Sequence, residues 1–246
     1  MAEPMPTPAP TPRYAVLNAQ RHRDLRVLAH PGYGFARGLR RADLVIDEFE
    51  RAAGLYPVVF ERADTGQFRP VALLAQAGQA DACVDSDGRW TRGYVPMALR
   101  YQPFALAGQA GQPDLRVCID TASELLSSEQ GAPLFDPAGQ PSAALAQVIT
   151  ALSALNQQML QTDQLCRALA HFNLFTPLAG QACGASDPGS FHQVDEAHLY
   201  RLPDAELCVL RQHGWLRALY AHQVSLAQFG LSGVSARAAS TALPVA

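Results

Sequence analysis

Asp85 and Asp87 stand two apart beside Gly88, Asp120 closes a short apolar run, and His222 lies in an aliphatic stretch near the C-terminus. Carboxylates and an imidazole are the groups that move protons near neutral pH, so these four form the candidate acid/base or polar cluster. Asp85-Ser-Asp87-Gly88 matches half of an EF-hand loop, but Cys83 occupies the place of another acid and Tyr94 that of the closing Glu. A turn between two strands explains these residues better than calcium does. No HExxH and no Cys/His pair at finger spacing occurs, and Gly32-Tyr-Gly34 does not open into a GxGxxG loop. Neither metal nor cofactor is expected. Gly184-Ala-Ser186-Asp-Pro188 lacks the closing glycine of a nucleophile elbow.

A second group has the chemistry of contact rather than of reaction: Arg89, Trp90, Tyr94, Arg100 and Phe104 fall within sixteen residues. Trp, Tyr and Arg anchor recognition surfaces, and the same residues build packed corners. Asp87-Gly88 reverses the chain just before Arg89 and Trp90. Pro96 holds Val95 extended and suits the first turn of a short helix reaching Arg100. That arrangement would gather Trp90, Tyr94 and Arg100 at one edge of a sheet.

The elements that must position these residues follow from apolar spacing. Pro57-Val-Val-Phe-Glu61 and Phe68-Arg-Pro-Val-Ala-Leu-Leu-Ala75 flank Asp64-Thr-Gly-Gln67 as a hairpin. Asp81–Asp85 and Leu115–Ile119 read as further strands, and Asp43 is placed to cap a helix over Leu44–Ala53 that Gly54 ends. After Pro141, apolar residues from Leu145 to Phe172, Met159 among them, fall mostly three or four apart and predict a helix of about eight turns. Two more helices are expected, over Asp204–His213 and Trp215–Phe229, with Gly214 as hinge or cap between them. The expected class is α+β: an antiparallel sheet from the N-terminal half, packed against the long helix and further helices from the C-terminal half. Residues 1–13 read as a disordered Pro-rich tail, 14–232 as a single domain, and 233–246 as a flexible tail.

Composition narrows the function classes. Apolar residues make up 48% of the 246-residue chain, which suits a globular core. Net charge is −3, every basic residue is Arg, and no basic run appears, so no nucleic-acid partner is expected. The five cysteines are widely spaced without a CxxC, the pattern of free thiols. No apolar run approaches the roughly 18–20 residues of a membrane span. The N-terminal segment lacks the basic and apolar regions of a secretory signal, so cytoplasmic residence is the default expectation.

Several runs carry a resemblance: Tyr56-Pro-Val-Val-Phe60, Phe68-Arg-Pro-Val-Ala-Leu-Leu74, Asp87-Gly-Arg-Trp90, Tyr94-Val-Pro96, Leu99-Arg-Tyr-Gln-Pro-Phe104, Leu115-Arg-Val-Cys-Ile-Asp120, Pro133-Leu-Phe-Asp136 and Gly139-Gln-Pro-Ser142. It resumes at Gly214-Trp-Leu216, Tyr220-Ala-His222 and Ser225. Together these resemble the SapC-like family of bacterial surface-layer-associated proteins, over most of residues 14–230. The loop Gly180–Ser190 departs from the pattern, and Tyr101 stands where another Arg is expected. The resemblance implies a link to surface-layer or cell-envelope biology and supplies no catalytic residue. The resulting expectation is a non-enzymatic binding, assembly or accessory protein whose partner is a protein or envelope component. The alternative is an enzyme whose site assembles only in three dimensions, either a hydrolase or an accessory to a neighbouring oxygenase or halogenase system.

Overall fold

A computed structural model describes residues 13–28, 32–75, 83–107, 116–178 and 191–229. The expected tails apart from Arg13, together with Asp81, Leu115, Cys183 and the loop 180–190, lie outside the described residues. Among the described residues, eleven strands run in chain order: β1 (Tyr14–Val16), β2 (Arg26–Val27), β3 (Arg41–Asp43), β4 (Val58–Arg62), β5 (Phe68–Leu73), β6 (Phe104–Ala107), β7 (Arg116–Asp120), β8 (Leu126–Ser127), β9 (Ala132–Pro133), β10 (Phe175–Pro177) and β11 (Phe191–Val194). The α-helices are α1 (Phe49–Ala53), α2 (Met97–Arg100), α3 (Ala143–His171), α4 (Glu196–Leu199), α5 (Asp204–Gln212) and α6 (Leu216–Leu226). All strand pairs are antiparallel, and the class is α+β.

The chain groups into two units whose segments interleave in sequence. The first comprises residues up to Gly38, Cys83–Thr91 and Leu99–Gln157; the second comprises Leu39–Ala82, Arg92–Ala98 and the chain from Gln158. α3 contributes its first half to one and its second half to the other. The hairpin β4–β5 and the strand β7, expected in one sheet, belong to different sheets. β7 lies between β1 and β6 in the first unit, which also holds a small sheet of order β8-β2-β9. The sheet of the second unit has order β10-β11-β4-β5-β3. Its central strand β4 is buried from Val58 to Glu61, which explains its unbroken apolar run.

Pro70 sets a boundary in this sheet. Val59 pairs with Val71 and Glu61 with Arg69, so Pro70 and Ala72 turn their backbone groups toward β3. Ala72 pairs with Ala42; at the next step Leu44 N–H donates to Pro70 O (3.0 Å), but Pro70 has no N–H to return. β3 ends there, at Asp43. Asp43 is therefore a strand end rather than the expected helix cap. The cap of the following 3₁₀ turn Ile46–Glu48 is Glu48 itself, whose Oε2 accepts Val45 N–H at 2.9 Å before the chain tightens into α1.

α3 starts where Ser142 Oγ accepts Leu145 N–H at 3.2 Å and ends before Asn173, which takes φ of +54°. Leu145, Leu152, Leu155, Leu165, Cys166 and Leu169 are its buried stripe, while Met159, expected in that stripe, is exposed. Gly214, at φ of +71°, caps α5: Trp215 N–H returns to Leu210 O at 2.9 Å. Phe49, Tyr56, Phe60, Leu165, Leu169, Leu174, Leu210 and Leu219 are almost fully buried in the second unit, as are Ile119, Leu134, Leu145 and Leu152 in the first.

Candidate functional site

Asp85 to Trp90 forms one hydrogen-bonded turn. Asp85 Oδ1 accepts the N–H groups of Asp87 (2.9 Å) and Arg89 (2.8 Å), Asp85 N–H donates to Arg89 O (3.0 Å), and Gly88 supplies φ of +79°. A β-bridge joins Val84 to Trp90, and Thr91 N–H donates to Cys83 O at 2.9 Å. The turn sits on the segment from Gly32 to Arg37. Tyr33 N–H donates to Gly88 O (2.6 Å), and the Arg37 guanidinium donates to Asp85 O (2.8 Å) and Ser86 O (2.5 Å). The half-buried Trp90 meets the Tyr33 ring edge-to-face, with centroids 5.5 Å apart. A Cβ on Gly32, at φ of +117°, would lie 2.7 Å from Gly88 O. Gly32-Tyr-Gly34, no phosphate loop, is thus the seat of the turn. Tyr33 was not singled out by sequence reasoning, and the paired glycines on either side of it were the signal that could have found it.

The tip is exposed and polar. Arg89 is 77% exposed and Asp87 65%, with the two 3.5 Å apart. A second turn in the same unit repeats the bonding: Asp136 N–H donates to Gln140 O (2.9 Å), Asp136 Oδ1 accepts Gln140 N–H (2.8 Å), and Gly139 takes φ of +80°. Asp-x-x-Gly writes the same geometry twice.

The other candidates have different settings. Phe104 is buried at the start of β6, opposite Ile119. Arg100, half-buried, ends α2 in the first unit. Tyr94 belongs to the second unit, where its hydroxyl donates to Glu48 Oε1 (2.9 Å) and its carbonyl accepts the Tyr56 hydroxyl (2.5 Å). Glu48 Oε1 also accepts Met97 N–H at 2.6 Å, so this buried carboxylate pins the segment Tyr94–Met97.

The four candidate acid/base groups are divided likewise. Asp85 and Asp87 share the turn just described. Asp120, buried at the end of β7, caps backbone: its Oδ1 accepts Arg13 N–H (2.7 Å) and Ala122 N–H (3.1 Å). His222 lies in the second unit and is fully buried. Its Nδ1 donates to Val58 O (2.8 Å) and its Nε2 accepts Val194 N–H (3.0 Å). This pairing requires the neutral ring with its proton on Nδ1. Burial pushes its pKa down to about 4, against the opposing pull of the Val58 carbonyl. Ser225 Oγ accepts Val58 N–H (2.9 Å), so both backbone groups of Val58 end on α6. Among the described residues no three His, Cys, Asp or Glu side chains gather as a metal site, and no helix is long and apolar enough to cross a membrane.

No curated protein and no solved structure matches the chain. The SapC family model matches residues 17–231, a span that holds both Asp-x-x-Gly turns and the His222–Ser225 pair. The chain belongs to the SapC family.

Proposed function

We propose that this SapC-family chain is a non-enzymatic binding or assembly component of surface-layer or cell-envelope biology, and that it contacts a protein or envelope partner through the tip of the Asp85–Trp90 turn. The observation that carries the reading is the turn's construction. Its bonds run within the turn or to the segment Gly32–Arg37, which preorganises it for binding, and its tip presents an exposed guanidinium and carboxylate beside the half-buried Trp90. A backbone already held in place loses little freedom on binding, and Arg and Trp are the side chains that anchor recognition surfaces. The strongly shifted groups support the same reading, because they face inward. His222 spends both ring nitrogens on backbone, and burial, with Asp163 adding to it, raises the Cys166 thiol to about 12, far from a reactive thiolate.

The test is paired. Immobilised full-length chain is used to capture partners from the native cell, and the purified chain is assayed with peptide and glycan substrates. Retention of a defined partner that Arg89→Ala releases supports the reading. Saturable turnover of a peptide or glycan would overturn it.

A further inference from the structure

The second unit holds a cleft of about 400 Å³ that the turn does not touch. Its walls are α1, the second half of α3, and the junction of α5 with α6, and they are tied together. Ile46 N–H donates to Thr162 Oγ1 at 2.9 Å, joining the approach to α1 with α3. The Arg217 guanidinium grips both oxygens of Glu50, joining α6 with α1. A cleft held this way keeps its shape without a ligand, and its volume lies at the small end of the roughly 300–1,000 Å³ of small-molecule sites.

The lining defines the chemistry. Gln161 and Gln164, one turn apart on α3, are exposed, as are Asp47 and His213. The His213 ring lies nearly parallel to Trp215, 14° apart with centroids 4.3 Å apart, which makes a stacked aromatic wall. One guanidinium faces two carboxylates and already holds one of them, so the cleft offers no strong field to an anion or a cation. Planar amides and carboxylates that meet adjacent hydroxyls, set beside an aromatic wall, suit a neutral polyol instead. The geometry points to a binding site for a neutral saccharide of one or two units, independent of the Asp85–Trp90 turn.

The test uses the full chain carrying Trp90→Phe, so that Trp215 is the single indole. Maltose, cellobiose and N,N′-diacetylchitobiose are titrated while Trp215 emission is followed, with spermidine and inorganic phosphate as charged probes. The expected result is a saturable change with at least one disaccharide, at a Kd of about 1 mM. Replacing both Gln161 and Gln164 with Ala, a good helix former at exposed positions, weakens it at least about tenfold with an unchanged thermal melt. The site is refuted if no disaccharide gives saturation, if the double substitution leaves the Kd unchanged, or if only spermidine or phosphate responds.

Discussion

Val194 and Val58 are joined through the imidazole of His222 rather than through each other. Extending the register Phe191–Glu61 and His192–Phe60 by two residues sets Val194 opposite Val58. There the ladder opens and α6 enters. His222 meets Phe60 edge-on at 5.1 Å on one face of the sheet, whereas Leu226 and Phe229, further along, pack on the Val59–Val71–Leu73–Phe191 cluster of the other. The ring and the Ser225 hydroxyl take over the hydrogen bonds the strands give up.

Replacing His222 with Phe keeps a ring of similar size and removes both bonds. Two buried backbone groups are left unpaired, so unfolding stability should fall by about 2–4 kcal/mol, measured by urea denaturation. A loss under about 1 kcal/mol would show that α6 is held by packing alone.

The same ring makes stability depend on pH. Its folded pKa of about 4 lies below the ordinary 6.5, so the unfolded state binds the proton more tightly. The contribution is complete above pH 6.5 and is lost as pH falls from there toward 4, amounting to about 3 kcal/mol. Urea midpoints for the wild type and His222→Phe, compared between pH 7 and pH 4.5, should converge as pH falls. A constant gap would contradict the assignment of this titration to His222.

Glu48 gathers Val45 N–H, Met97 N–H and the Tyr94 hydroxyl on one buried carboxylate. Glu48→Ala should cost about 3 kcal/mol or more. Native-state hydrogen exchange should show the Met97 amide opening faster than the β4 amides. Equal acceleration throughout the second unit would mean that the carboxylate does not hold this segment specifically.

Gly32→Ala drives a Cβ against the Gly88 carbonyl at a φ that suits glycine. The thermal midpoint should drop by an amount equal to about 2 kcal/mol or more, the combined effect of strain and contact. An unchanged midpoint would mean that the turn is not seated on Gly32.

Local chemistry was the legible part of the sequence. Pro141 and the apolar spacing announced α3, Asp64-Thr-Gly66 announced the β4–β5 hairpin, and Asp87-Gly88 announced the turn before Trp90. Long-range pairing was not legible. β1 and β2 are three and two residues long and carry little periodicity of their own, so nothing marked Tyr14 as the partner of Asp120 or Arg26 as the partner of both Ser127 and Pro133. His222 was visible only as a titratable group. That it closes a gap between β4 and β11 depends on strands 164 and 28 residues away from it, as its two bonds show.

Recognition through the turn rests on Arg89, and Arg89→Ala in the capture assay, with a thermal melt alongside, tests it. Arg89 is largely exposed and its ion pair with Asp87 is a surface pair, so the melt should stay within about 0.5 kcal/mol of the wild type. Partner retention should fall by about 2 kcal/mol, or roughly thirtyfold. Undiminished capture by an equally stable Arg89→Ala chain would mean that the partner is not held through the tip of this turn.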